Sequence, residues 1–187
     1  ITVTVVANSA YGLLVYRTNK FSAANKSFFA LTIAVSLWGV GMVAYRGLEN
    51  LEWATTASRL LYAAAALIPF YFFRFAWAFP NKDLSSAWWF RYLIPFPMFI
   101  SILLALVPGA LVISVAPAEI GERIITFSIG SQIIYAAYLT LYFSLVMGLL
   151  ALKAWRAHGE ERLQLLYILF ATAIPTIAGS IANLYLP

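Results

Sequence analysis

The chain is divided into long runs that carry no charged side chain. Ile1 to Tyr16, Ser27 to Tyr45, Tyr92 to Ala118, Ile124 to Leu152 and Leu163 to Pro187 contain no Asp, Glu, Lys or Arg. Leu60 to Phe79 is interrupted only by Arg74. A helix needs about 20 mainly apolar residues to cross the hydrocarbon core of a bilayer, and most of these runs reach or approach that length. They are continuous rather than alternating in polarity, which argues against the strands of a β-barrel.

The pattern predicts an all-α, integral membrane helical bundle. Six transmembrane helices are expected at roughly 1–16, 28–45, 60–79, 92–114, 129–152 and 165–187. The first run is short and starts at Ile1, so it reads as a span lacking its N-terminal end. It is not a cleaved signal peptide, because Arg17 and Lys20 follow it rather than precede it. The composition agrees: 63 % of residues are apolar and 10 % charged, where a soluble domain has about half and about a quarter. With no Cys in the chain, a disulfide scaffold and a thiolate metal site are excluded. No Gly-, Ser- or Pro-rich linker divides the sequence, so residues 1–187 read as one domain.

The net charge of +5 is concentrated at the ends of the apolar runs, which points to membrane topology and away from nucleic acid. Arg17, Lys20 and Lys26 fill the first loop, Lys82 and Arg91 the third, and Lys153, Arg156 and Arg162 the fifth. In the second loop Arg46 and Arg59 sit beside Glu49 and Glu52, and in the fourth Arg123 sits beside Glu119 and Glu122. Odd loops are therefore expected in the cytoplasm and the N-terminus outside. A seventh span, returning the chain to the cytoplasm, is expected beyond Pro187.

Few residues in the spans carry chemistry. On the fifth predicted helix Ser128, Ser131, Gln132, Tyr135, Tyr138 and Tyr142 form a polar stripe at helical spacing. Such a face either lines a cavity for a small ligand or bonds to neighbouring helices. Trp38, Arg46, Arg59, Tyr62 and Asn183 are candidates to join Gln132, Tyr135 and Tyr138 around an outer ligand cavity, the arginines suiting an anionic group. Interfacial anchoring and pairing with Glu49 and Glu52 is the alternative for the arginines. Arg74 is about 9 Å from the helix end at Pro80, within reach of a snorkelling side chain. Pro69 and Pro175 are expected to kink their helices, and Pro108-Gly109 to break the fourth. His158 stands next to a short acidic turn, without a second His or a Cys, so it reads as solvated rather than as a metal ligand. No catalytic constellation, phosphate-binding glycine loop or intramembrane carboxylate occurs, and no Lys lies inside a span to bind retinal. No cofactor and no metal is expected.

Several segments together resemble the N-terminal seven-transmembrane region of bacterial and archaeal histidine kinases. They are Asn25-Lys26-Ser27-Phe28 leading into Ser36-Leu37-Trp38-Gly39, Ala57-Ser58-Arg59-Leu60-Leu61-Tyr62, Pro69 with Phe79-Pro80, Arg162-Leu163-Gln164, and Pro175, Gly179, Asn183 and Pro187. The resemblance implies a membrane sensory input domain of a two-component signalling histidine kinase in a prokaryotic plasma membrane, with no catalysis of its own. Its implied partners are the lipid bilayer, a small ligand or membrane stimulus, a cytoplasmic kinase or other output domain in the same chain, and a second copy in a homodimer. Nucleic acid is not among them. A small-solute permease is the alternative reading, but no internal repeat supports it, and an integral-membrane enzyme ranks third.

Overall fold

The computed structural model describes residues 2–80, 88–117 and 123–184. Seven helices and one hairpin succeed one another: α1 (Thr2–Thr18), α2 (Ala23–Gly47), α3 (Leu51–Ala78), α4 (Trp88–Tyr92), α5 (Phe96–Leu106), β1 (Val112–Pro117), β2 (Arg123–Phe127), α6 (Ile129–Arg156) and α7 (Gly159–Leu184). Among the described residues, α2, α3 and α6 are long and apolar enough to cross a membrane.

Local chemistry sets the helix ends. At the start of α3 the Asn50 carboxamide oxygen accepts from the amides of Glu52 (2.8 Å) and Trp53 (3.2 Å), satisfying two donors that the first turn cannot pair internally. At the start of α2 Ser22 accepts from the Asn25 amide, and the Asn25 carboxamide reaches back to the Val15 carbonyl at 2.9 Å, near the end of α1. This ties the α1–α2 turn together. The third helix stays continuous through Pro69 and ends at Ala78, where Phe79-Pro80 follows.

The centre of the molecule is α3. In its most apolar stretch 56 % of residues are buried, against 33 % for α2 and 28 % for α6. It packs against α2, α5, α6 and β1, while α1 rests on α2 and α7 on α6. Gly41 of α2 lets that helix approach α3 closely, since a Cβ there would stand 3.0 Å from the Leu61 Cα. The α1–α2 pair closes through Gly12, against Thr32, and through a 2.9 Å hydrogen bond between the hydroxyls of Ser9 and Ser36. Large apolar side chains point outward on several helices, among them Val3, Leu14, Leu60, Phe99, Leu103, Ile133, Leu141 and Phe170. The accessible surface is 11407 Å², where a compact soluble chain of 20.7 kDa exposes about 8,900 Å². The bundle is therefore open and apolar on its outside.

The fourth predicted helix, 92–114, is not one helix. It divides into α4 and the 11-residue α5, followed by an antiparallel hairpin that pairs Val115 with Ile125 and Ala116 with Ile124. The fold is a helical bundle, as expected, and it carries in addition this two-stranded hairpin in place of the end of the fourth predicted helix. Pro95 and Pro97 lack amide donors and favour a helix start, not a helix interior, at that point. Gly109 takes a φ of +77° after Pro108, a turn that continues into no helix. The β-branched Val112, Ile113, Val115, Ile124, Ile125 and Thr126 then favour strand. At about 1.5 Å per residue α5 is about 16 Å long, half a bilayer core.

The hairpin lies at the end of the bundle where α2 ends and α3 and α6 begin. The opposite end, called the far end below, holds the α1–α2 and α6–α7 turns and the end of α3.

Candidate functional site

At the hairpin end, residues from four elements meet. Tyr45, Ala54, Ala57, Leu61 and Val115 form a small buried cluster, with Trp38, Met42, Tyr62 and Ile125 packed on it. One arginine fastens the hairpin over this cluster. The Arg123 guanidinium donates from Nη1 to the Tyr45 carbonyl and from Nη2 to the Leu48 carbonyl, and the Tyr45 hydroxyl donates to the Arg123 carbonyl at 3.0 Å. Those two carbonyls belong to the last turn and C-cap of α2, where no intrahelical amide remains for them and the helix dipole favours a cation.

The polar stripe of α6 turns toward the bundle, and its hydroxyls bond backbone. Tyr135, Tyr138 and Tyr142 are all buried. The Tyr135 hydroxyl donates to the Tyr62 carbonyl at 2.7 Å, and the Tyr138 hydroxyl to the Ala66 carbonyl at 2.7 Å. The Tyr142 hydroxyl donates to the Ile94 carbonyl just ahead of α5. Donors at successive turns of α6 thus meet acceptors at successive turns of α3. Tyr62 also packs edge-on against Tyr135, with centroids 5.9 Å apart, and against Phe127 at 5.3 Å. Ser131 and Gln132, one turn ahead of Tyr135, are half-buried.

Of the eight residues proposed from the sequence, the fold gathers four closely: Trp38 and Tyr62 share one cluster, and Tyr62, Tyr135 and Tyr138 follow in order along the α3–α6 seam. Gln132 stands above Tyr135 on α6. Arg59 lies one turn before Tyr62 on α3, half-buried, and its Nε has no hydrogen-bond partner. Arg46 is exposed at the end of α2. Asn183 falls on the last turns of α7, and its side chain lies outside the described residues.

An open groove of about 270 Å³ lies deeper in the bundle. Leu31 and Val35 of α2 form one wall, Ile68 and Phe72 of α3 the floor, and Phe143 of α6 with Ala171 and Thr172 of α7 the other wall. None of the polar stripe lines it. The Thr172 hydroxyl donates to the Ile168 carbonyl at 2.6 Å, within its own helix. No polar group of the lining is therefore left to be met by an occupant.

Two cations matter in ways that residue type and spacing did not reveal. In the sequence Arg123 reads only as a loop charge, and Lys153 only as a topology signal. The Lys153 ammonium donates to the carbonyls of Ala76 (2.7 Å), Trp77 (2.7 Å) and Phe79 (2.5 Å), so a residue of α6 caps the end of α3. The available signal was the position of each cation beside a helix end, but the sequence does not say whose carbonyls it meets. Arg74 does not simply extend toward the helix end. Its guanidinium carbon lies 5.8 Å from the ring centre of Phe70, one turn back along α3, and its Nε is buried without a partner. Attraction to the ring face offsets part of that burial. His158 is exposed between α6 and α7. Among the described residues no three His, Cys, Asp or Glu gather as metal ligands.

Long apolar helices around a buried seam, with apolar side chains turned outward, define a multi-pass membrane domain. Residues 1–186 match the family described as the N-terminal 7TM region of histidine kinase. The chain belongs to that family. Such a region is a non-catalytic part of histidine kinases, so this segment is not an enzyme. No curated protein matches the chain.

Proposed function

We propose that the chain is the sensory input domain of a two-component signalling histidine kinase and passes a stimulus to a cytoplasmic output domain of the same protein. The observation that carries this reading is the family match over residues 1–186. In this reading α1, α2, α3, α4 with α5, α6 and α7 make six crossings of a prokaryotic plasma membrane. Arg17, Lys20, Lys26, Lys153, Arg156 and Arg162 cluster at the far end, so that end faces the cytoplasm and the hairpin faces outside. A small ligand or membrane stimulus acts at the hairpin end, around Trp38, Arg46, Arg59, Tyr62, Gln132, Tyr135, Tyr138 and Asn183. The unpaired Nε of Arg59 favours an anionic group there. The stimulus works by stabilising one arrangement of α6 on α3 over another, since only a difference in affinity between two states can shift their balance. The bilayer, the output domain and a second copy of the chain are its partners.

The test is autophosphorylation of the full-length protein in native membranes, titrated with candidate stimuli. The double variant Gln132→Ala with Tyr135→Phe is expected to blunt the dose response while leaving basal activity in place. An unchanged dose response removes the hairpin-end site. Failure of the intact protein to take up phosphate under any condition removes the kinase reading.

A further inference from the structure

We propose that Arg74 binds a membrane-borne oxyanion, the carboxylate or phosphate at the head of an acyl lipid, in the leaflet that borders the far end. The inference needs only the membrane-domain assignment and is separate from the hairpin-end site. Arg74 is the only charged side chain between Leu60 and Phe79. It is half-buried with its Nε enclosed, and among the described residues its guanidinium makes no hydrogen bond and no ion pair. All seven acidic side chains of the sequence lie outside the apolar runs. The Phe70 ring, centred 5.8 Å from the guanidinium carbon, attracts the cation but offers no oxygen to its N–H donors.

A guanidinium without an acceptor in an apolar setting is costly, and the usual relief is to reach the interface. Two features work against that here. Side chains on a helix tilt toward its N-terminus, so Arg74 starts out directed away from the far end. The carbonyls at the end of α3 that an arginine could cap are already met by the Lys153 ammonium, and a second cation there would face a like charge. An acceptor must therefore come to Arg74. The level is right for a lipid head group. Phe73 and Trp77, on either side of Arg74 in sequence, have ring centres 6.2 and 5.2 Å from that of Phe90 of α4. Trp88 and Tyr92 of that short helix are exposed, as aromatic side chains are at the edge of a bilayer. A carboxylate or phosphate on an acyl chain accepts from both arms of the guanidinium, while its tail lies along the apolar outer side of α5, where Phe99 and Leu103 are exposed.

The test uses the full-length protein in nanodiscs of phosphatidylcholine doped with a minor fraction of oleate or of phosphatidylglycerol. A benzophenone amino acid replaces Tyr71, one turn before Arg74 on α3, and the adducts formed on irradiation are identified by mass. The same amino acid in place of Leu141, exposed on the outer side of α6, reports the bulk composition. Bidentate, charge-assisted pairing leads us to expect the anionic species to be enriched about fivefold at position 71 over position 141. Enrichment of oleate alone identifies a carboxylate, and of phosphatidylglycerol alone a phosphate; either supports the proposal. Lipid adducts in the same proportions at both positions, or adducts at 71 to protein alone, overturn it. Arg74→Gln should abolish the enrichment, Arg74→Lys should retain part of it through its charge, and Arg156→Gln should leave it whole. Enrichment that survives Arg74→Gln also overturns the proposal, because another group then holds the anion.

Discussion

Removing the ammonium of Lys153 while keeping its stem is the most direct test of how the seam is held. The Ala76 carbonyl would ordinarily accept from residue 80, but Pro80 has no amide hydrogen. Trp77 and Phe79 stand at the end of α3, past which no helical amide follows. Lys153 meets all three carbonyls. Hydrogen bonds from a charged donor contribute about 1.5 kcal/mol each at the low end, and a cation at a helix C-terminus adds about 0.5 kcal/mol. Partial burial of the ammonium offsets about half of that sum. Lys153→Met is therefore expected to cost about 2–3 kcal/mol. For a chain of this size that is a Tm lower by about 5–10 °C, read by thermal denaturation of the purified domain in detergent. Arg156→Met is the control, because Arg156 is an exposed cation in the same last turn of α6. It should change stability by no more than about 0.5 kcal/mol. Equal Tm values for the two variants would refute the capping argument.

Arg123→Gln frees the hairpin from α2 and should speed amide exchange at Ile124 and Thr126 well beyond that of Ala66 in the core; unchanged exchange would show that strand pairing alone holds the hairpin. Tyr138→Phe deletes one interhelical bond in a buried setting and should lower stability by about 0.6–2 kcal/mol in detergent unfolding. Tyr135→Phe combined with it is expected to deviate from additivity, since the two side chains are neighbours on one seam. Gly41→Val should destabilise by about 1–3 kcal/mol by forcing α2 from the Leu61 backbone. Gly148→Ala meets nothing within 4 Å and should stabilise by up to about 1 kcal/mol through helix propensity, both read as shifts in Tm.

The long helices were legible because one physical term dominates them. Charged groups are so costly in hydrocarbon that uncharged runs mark α2, α3 and α6 without reference to any neighbour. Their ends were less so: α3 starts at Leu51, well before the uncharged run at Leu60, because Asn50 caps it and helix continues outside the apolar stretch. The hairpin is hidden because β1 continues the uncharged run 92–118 and β2 opens the uncharged run that starts at Ile124, and only the β-branched composition after Gly109 separates strand from helix. At the site, the inward stripe on α6 was readable from spacing alone. That its tyrosines bond carbonyls was not, since a carbonyl acceptor belongs to every residue and leaves no mark in the side-chain sequence. The same blindness covers Lys153 and Arg123, whose partners are also carbonyls.

Acceptors of that kind have a mechanical consequence. Carbonyls recur along α3 at every turn, about 5.4 Å apart, and Tyr135 and Tyr138 engage two that are one turn apart, at Tyr62 and Ala66. The tyrosines therefore grip α3 as teeth grip a rack: they resist displacement by a fraction of a turn, yet a shift of one whole turn brings equivalent acceptors to them. The end of α3 has no such periodicity. The three carbonyls that Lys153 meets occur once, so the lysine acts as the stop that selects one notch.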